Sequence, residues 1–139
     1  MLIFMDTSSL VKRYIDENGT SDVDAYFQSK NSIFISAITP VEIHSTFQRK
    51  INEKSIDYEA YSNANMSWEM EKQFFDIVKF DDRLTECAIM TLKNKGLRAL
   101  DSIQLASAIL VVCDEFVVSD KKLFKAAKEI LPGAVTFIE

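Results

Sequence analysis

The stretch MLIFMDTSSLVKRY, residues 1–14, sets the reading of this chain. Leu2 to Met5 are apolar without alternation, and the run stops at Asp6, followed at once by Thr7, Ser8 and Ser9. A short unalternating apolar run suits a strand covered on both faces, as in a parallel sheet. A carboxylate directly after such a strand has two readings. It caps a helix running from about Ser8 to Ile15, or it belongs to a site at the carboxyl end of a sheet, where ligands of open α/β folds bind.

Four more strand-like runs lie outward from this one: IFIS (33–36), FDIVKF (75–80), FVVS (116–119) and AVTFI (134–138). Helical patterns fall between them. Tyr58, Tyr61, Asn65 and Trp68 mark one face of a helix from about 57 to 73. Leu84, Cys87, Ala88 and Leu92 mark another that stops near Gly96. DSIQLASAILVVC (101–113) is apolar almost all round and reads as a central, buried helix. Leu123, Phe124, Ala127 and Ile130 mark a last one. Strands alternating with helices predict an α/β fold.

The 139 residues, 47% hydrophobic and 27% charged, read as one domain spanning 1–139, with no repeat or linker to divide it. No apolar stretch approaches the roughly 20 residues of a bilayer span, and MLIF lacks the basic leader of a signal peptide, so a soluble cytoplasmic protein without membrane contact is expected. Cys87 and Cys113 form no paired motif and read as core thiols. The net charge of −5 argues against a simple nucleic-acid binder, yet suits an enzyme whose acids hold divalent cations.

Four acids stand at strand ends or helix starts: Asp6, Glu42, Asp101 and Asp120. Each has a structural explanation. TPVE (39–42) fits a capping box with Thr39 at N-cap, Pro40 at N1 and Glu42 at N3, and Asp101 and Asp120 suit helix starts. Taken together they suggest chemistry. Carboxylates converging to about 4 Å repel by about 4 kcal/mol per pair at an effective dielectric near 20, which calls for protonation or a cation. Mg²⁺ or Mn²⁺ fits such an all-oxygen set. With a single His and no paired Cys, zinc does not.

Four blocks, FMDTSSLVKRY (4–14), ISAITPVEIHSTFQRK (35–50), LRALDSIQLASAI (97–109) and VVSDKKLFKAAKE (117–129), resemble in order and spacing the motifs of PIN-domain proteins, and most of all the VapC-like toxin ribonucleases of type II toxin–antitoxin modules. The third block is the most specific. The resemblance implies a three-layer α/β/α sandwich with a central, mostly parallel sheet of about five strands. It also implies Mg²⁺-dependent endoribonuclease activity, homodimers and a cognate antitoxin protein. It assigns Asp6, Glu42, Asp101 and Asp120 to catalysis and metal binding, with Thr7 and Ser8 as polar support. Many family members place Ser or Thr two residues before the fourth acid; here that position is Val118, with Ser119 adjacent.

On this reading water activated by the metal cleaves RNA, leaving 5′-phosphate and 3′-hydroxyl ends. Lys12, Arg13, Arg49, Lys50 and Lys121 are candidate contacts to RNA phosphates, against the alternative of plain solvated charges. His44 is read as a packed or dimer-interface histidine, and Trp68, Tyr58 and Tyr61 as core or partner contacts rather than base-stacking platforms. The segment 55–75 is expected to project as an amphipathic helix toward an antitoxin or a second protomer. Two alternatives stand: a receiver-type phosphoacceptor domain, which would need an acidic pair where Asp6 is followed by Thr7, and a PIN-like scaffold that binds partners without catalysis.

Overall fold

A computed structural model describes all 139 residues. Five strands form one sheet: β1 (Leu2–Met5), β2 (Ser32–Ser36), β3 (Asp76–Val78), β4 (Glu115–Val118) and β5 (Ala134–Phe137). The order across the sheet is β3-β2-β1-β4-β5, and every pairing is parallel. The sheet is thus wholly parallel rather than mostly so. All five runs became strands: the inner ones are continuous and covered on both sides, while β3, with Asp76 and Ile77 exposed, is an edge strand.

Side chains sort by the twofold period of the strand. Ile3 and Met5 of β1, Ile33 and Ile35 of β2 and Val117 of β4 enter one core cluster; Phe4, Phe116 and Val118 enter a second on the opposite face. The first cluster is covered by α1 (Thr7–Tyr14), α2 (Thr20–Gln28), α3 (Thr39–Asn52) and α4 (Tyr58–Glu71), through residues such as Leu10, Val23, Phe47 and Trp68. The second is covered by α6 (Ala99–Val111) and α7 (Lys121–Ile130), through Leu105, Ala108 and Leu123, with α5 (Asp82–Lys95) packed on α6 through Leu84, Ala88 and Ala106. Three layers, α/β/α, result.

The topology positions the site. From β1 the chain steps outward to β2 and β3 with helices on one face, then returns to the other side of β1 for β4 and β5 with helices on the other face. Strand order reverses beside β1, and the crevice at the carboxyl ends of the strands there is where such folds bind ligands.

Some local expectations are corrected. The helix after β2 is not capped by Thr39: Ile38 is the N-cap without a side-chain bond, and Thr39 is the first helical residue, fully buried. Asp101 does not begin its helix but sits in its first turn behind Arg98. That helix is not buried all round: Ile109, Leu110 and Val111 are only partly covered. Segment 55–75 does not project. Asp57 caps α4, a 3₁₀ turn (Lys72–Phe74) follows it, and the helix lies packed on α1 and α3 with Trp68 buried in the core. The helix α2 is absent from the sequence reading; Val23 is its one fully buried residue, with Tyr26 and Phe27 packed partly buried beside it.

Candidate active site

Asp6 caps α1 and also faces the cleft at the carboxyl end of the sheet. Its carboxylate is the N-cap of α1, accepting from the backbone N–H groups of Ser8 and Ser9 at 3.3 Å each. The Ser8 hydroxyl lies 2.9 and 2.8 Å from its two oxygens. The same carboxylate, only 4% exposed, lines a cleft of about 350 Å³ shared by Glu42, Asp101 and Asp120. Four acids from four separate segments are thus brought together at the carboxyl end of the sheet.

Glu42 projects from the first turn of α3. Its Oε1 accepts from the Thr7 hydroxyl at 2.8 Å and from Gln104 Nε2 at 2.7 Å; Oε2 has no protein partner. Gln104 Nε2 also reaches Thr7 Oγ1 at 3.0 Å and Thr39 Oγ1 at 3.1 Å, so one amide ties α1, α3 and α6 behind the cleft. Gln104 Oε1 is buried without a partner. Asp120 is the N-cap of α7, its Oδ1 accepting from Leu123 N at 2.8 Å while Oδ2 stays free. Asp101 forms no side-chain hydrogen bond within the chain.

The electrostatics follow from this crowding. Burial pushes the Asp6 carboxyl up to about 7, against the opposing hydrogen bonds from Ser8 and Ser9 and with the Glu42 charge adding to the rise. Asp101 is also raised, by burial first and then by Asp120 and Glu42, with Arg98 and Lys122 opposing. No group of three His, Cys, Asp or Glu side chains is close enough to hold an ion by itself. The donor set nonetheless fits a hard dication. It is all oxygen, it carries free carboxylate oxygens on Glu42, Asp101 and Asp120, and its mutual repulsion is relieved by positive charge. Mg²⁺ characteristically takes one or two carboxylates and keeps several waters.

The hydroxyl positions fall as follows. Thr7 and Ser8 hold Glu42 and Asp6. Val118 is fully buried in the core, whereas Ser119 lines the cleft. Ser119 Oγ is 3.1 Å from Ser9 Oγ, and its N–H donates to Ser8 Oγ at 3.0 Å. The chain leaving β4 is thereby stitched to the start of α1.

Of the five predicted basic contacts, Lys12, Arg49 and Lys50 line the cleft. Arg13 does not. It faces away, with Nε 2.7 Å from Glu71 Oε1, a second nitrogen 2.8 Å from Glu71 Oε2 and a third 2.8 Å from Asp24. Lys121 is exposed at the start of α7 and is not part of the cleft wall. His44 is exposed on α3, 3.9 Å from Glu69, and also lies outside the cleft; its packed reading does not hold. Tyr58 is exposed, and Tyr61 is partly buried against the core that holds Trp68. Sequence reasoning missed Gln104, although it stands three residues after Asp101 and so on the same helix face.

A parallel α/β/α sandwich with an acid-lined cleft at the carboxyl ends of its inner strands is the frame on which the comparison with known proteins rests. The chain belongs to the PIN domain family, whose sequence model matches residues 3–129. Membership sets aside the receiver-type alternative. Solved structures share the fold. PAE2754 from Pyrobaculum aerophilum superposes with a TM-score of 0.72 at 16% identity, covering 97% of this chain and 83% of the other. A toxin–antitoxin complex from Klebsiella pneumoniae gives 0.66 at 21% identity, covering 96% of both chains. VapBC2 from Rickettsia felis, bound to a DNA fragment from its promoter, gives 0.62 at 16% identity, covering 100% of both. No curated protein sequence matches the chain significantly.

Proposed function

We propose that this protein is a divalent-cation-dependent endoribonuclease and the toxin of a toxin–antitoxin pair. One observation carries the reading: Asp6, Glu42, Asp101 and Asp120 line a single cleft at the point where strand order reverses.

Glu42, Asp101 and Asp120, each with an oxygen left free by the protein, would hold the cation together with its retained waters, and Asp6 would complete the anionic floor. When bound, Mg²⁺ or Mn²⁺ acidifies water and offsets charge on the phosphoryl oxygens during in-line attack. Thr7 and Gln104 fix Glu42 by one oxygen, which leaves the other pre-oriented. Asp101, whose carboxylate makes no hydrogen bond within the chain, is free to orient the attacking water and take its proton. Ser8 keeps the Asp6 carboxylate from rotating. Lys12, Arg49 and Lys50 supply positive charge for the RNA backbone in a chain of net negative charge.

The toxin role is supported by the shared fold with toxin–antitoxin complexes from Klebsiella pneumoniae and Rickettsia felis. A row of exposed apolar side chains, Met66, Met70 and Phe74, runs along the outer side of α4 into the turn after it. Such a row is the kind of surface a protein partner covers, here a cognate antitoxin or the second subunit of a homodimer. No helix is long and apolar enough to cross a membrane.

The test is cleavage of a structured RNA by the purified protein. Cleavage with Mg²⁺ or Mn²⁺ that EDTA stops, and that Asp6→Asn and Asp101→Asn abolish, is expected. Full activity in either variant, or none in the wild type with either cation, refutes the reading in favour of a non-catalytic scaffold.

A further inference from the structure

Lys12 is an unusual lysine. The whole residue is only 8% exposed, and the loop after α1 is built around its side chain. Its Nζ donates to the Asn18 carbonyl at 2.8 Å, and Glu17 Oε1 lies 3.4 Å away. Its own carbonyl accepts from Thr20 Oγ1 at 2.8 Å. Gly19, with φ of +92°, brings backbone so near that an added Cβ would stand 3.1 Å from Lys12 Cδ. Across the cleft wall Lys50, near the end of α3, reaches the other oxygen of the same carboxylate: Glu17 Oε2 is 3.3 Å from Lys50 Nζ. Lys12, Glu17 and Lys50 all line the acidic cleft.

Burying an ammonium costs free energy unless it is paired, so some anion is required between these lysines. Glu17 meets the requirement poorly. Both contacts exceed the roughly 2.7–2.9 Å of a well-made charge-assisted bond, because one planar carboxylate is stretched between two cations. A phosphodiester carries its charge on two non-bridging oxygens set wider apart on tetrahedral phosphorus than those of a carboxylate, and so bridges two ammonium groups with less stretching. The trio carries a net positive charge, and Arg49 lines the same wall.

We propose that Lys12 and Lys50 form the seat of an RNA backbone phosphate neighbouring the one to be cut. Glu17 fills this seat in the free protein and is displaced when the strand arrives. Glu17 is thus a built-in competitor that weakens RNA binding without touching the reacting atoms. This inference rests on the endoribonuclease reading for its ligand, but its test separates the two.

The experiment measures binding of a fluorescein-labelled single-stranded RNA by the full chain in EDTA, where cleavage is off, at several salt concentrations. Steady-state cleavage with Mn²⁺ is measured in parallel. Glu17→Gln is expected to tighten binding about 3- to 10-fold and to lower KM alike, with kcat unchanged. Lys50→Gln is expected to weaken binding about 10-fold and to flatten the dependence of log affinity on log salt by about one. Lys50→Arg restores most of the loss. Should Glu17→Gln fold poorly in a melting control, Glu17→Asp, too short to span both lysines, takes its place with the same expected direction. Unchanged or weaker RNA binding on removing Glu17, or an effect of Lys50→Gln on kcat alone, overturns the proposal. Absence of cleavage in the wild type with the expected order of affinities intact refutes the nuclease reading and leaves the phosphate seat standing.

Discussion

Gln104 Nε2 stands 2.7 Å from Glu42 Oε1, joining the buried face of α6 to the first turn of α3. The contact makes Glu42 asymmetric, one oxygen anchored and the other open. Groups that orient a metal-binding side chain in this way typically matter 10- to 100-fold for metal affinity. Gln104→Leu should therefore weaken Mn²⁺ binding by about that factor in calorimetric titration. Stability should change by less than about 1 kcal/mol, because the substitution also removes the buried, unpartnered Oε1. Loss of folding with intact metal affinity would contradict this.

Asp6 should set the pH response of the metal-free protein. Its folded-state pKa, about 7, lies above the ordinary 3.8, so the fold prefers the protonated form. Stability is then fully present below about pH 4 and is lost as pH rises toward 7, by at most about 4 kcal/mol. Asp6→Asn should remove this slope. In EDTA the variant should be more stable than the wild type at pH 8 and nearly equal at pH 4, as denaturant titrations would show.

Cation binding should repair the same defect. Mg²⁺ at 100 times its dissociation constant adds about 2.7 kcal/mol to stability. The rise in melting temperature should be large at pH 8 and small at pH 5, where raised carboxyls hold protons that the cation must displace. An equal rise at both values would show that the cation binds elsewhere.

Arg13 should matter for stability and not for RNA. Its guanidinium pairs with both oxygens of Glu71 and with Asp24, and stacks 3.9 Å above the Phe27 ring. Three-quarters buried, it should cost about 1–2 kcal/mol on substitution by Ala. Lys should recover little, since it cannot copy the two-pronged geometry. RNA affinity should stay within about twofold in an anisotropy titration.

The strands were legible because continuous apolar runs have one good use in a chain of this size, the inside of a parallel sheet. The acids were legible as candidates by their places after strands, although only the fold brings them to one cleft. Other features were hidden for physical reasons. The helix α2 packs by Val23, Tyr26 and Phe27, at helical spacing but over a single turn, too short a stretch to set it apart from a loop. Thr39 looks like a cap by residue type, yet the helix begins without a side-chain cap and Thr39 is spent on Gln104. Lys12 and Arg13 are adjacent and chemically alike, and only helical rotation sends one into the cleft and the other to Glu71. The four-residue step from Ser8 to Lys12 was the available signal, as was the three-residue step from Asp101 to Gln104.

The strand order also bears on when the acidic cleft is complete. The central strand is made first, but its neighbour on the side of Asp120 leaves the ribosome only after more than a hundred further residues. Until then one edge of β1 is bare and the fourth acid, Asp120, is missing from the crevice. In a chain wired in this order the cleft is complete only once β4 has docked beside β1, so on the nuclease reading proposed above cleavage waits until the sheet is nearly whole.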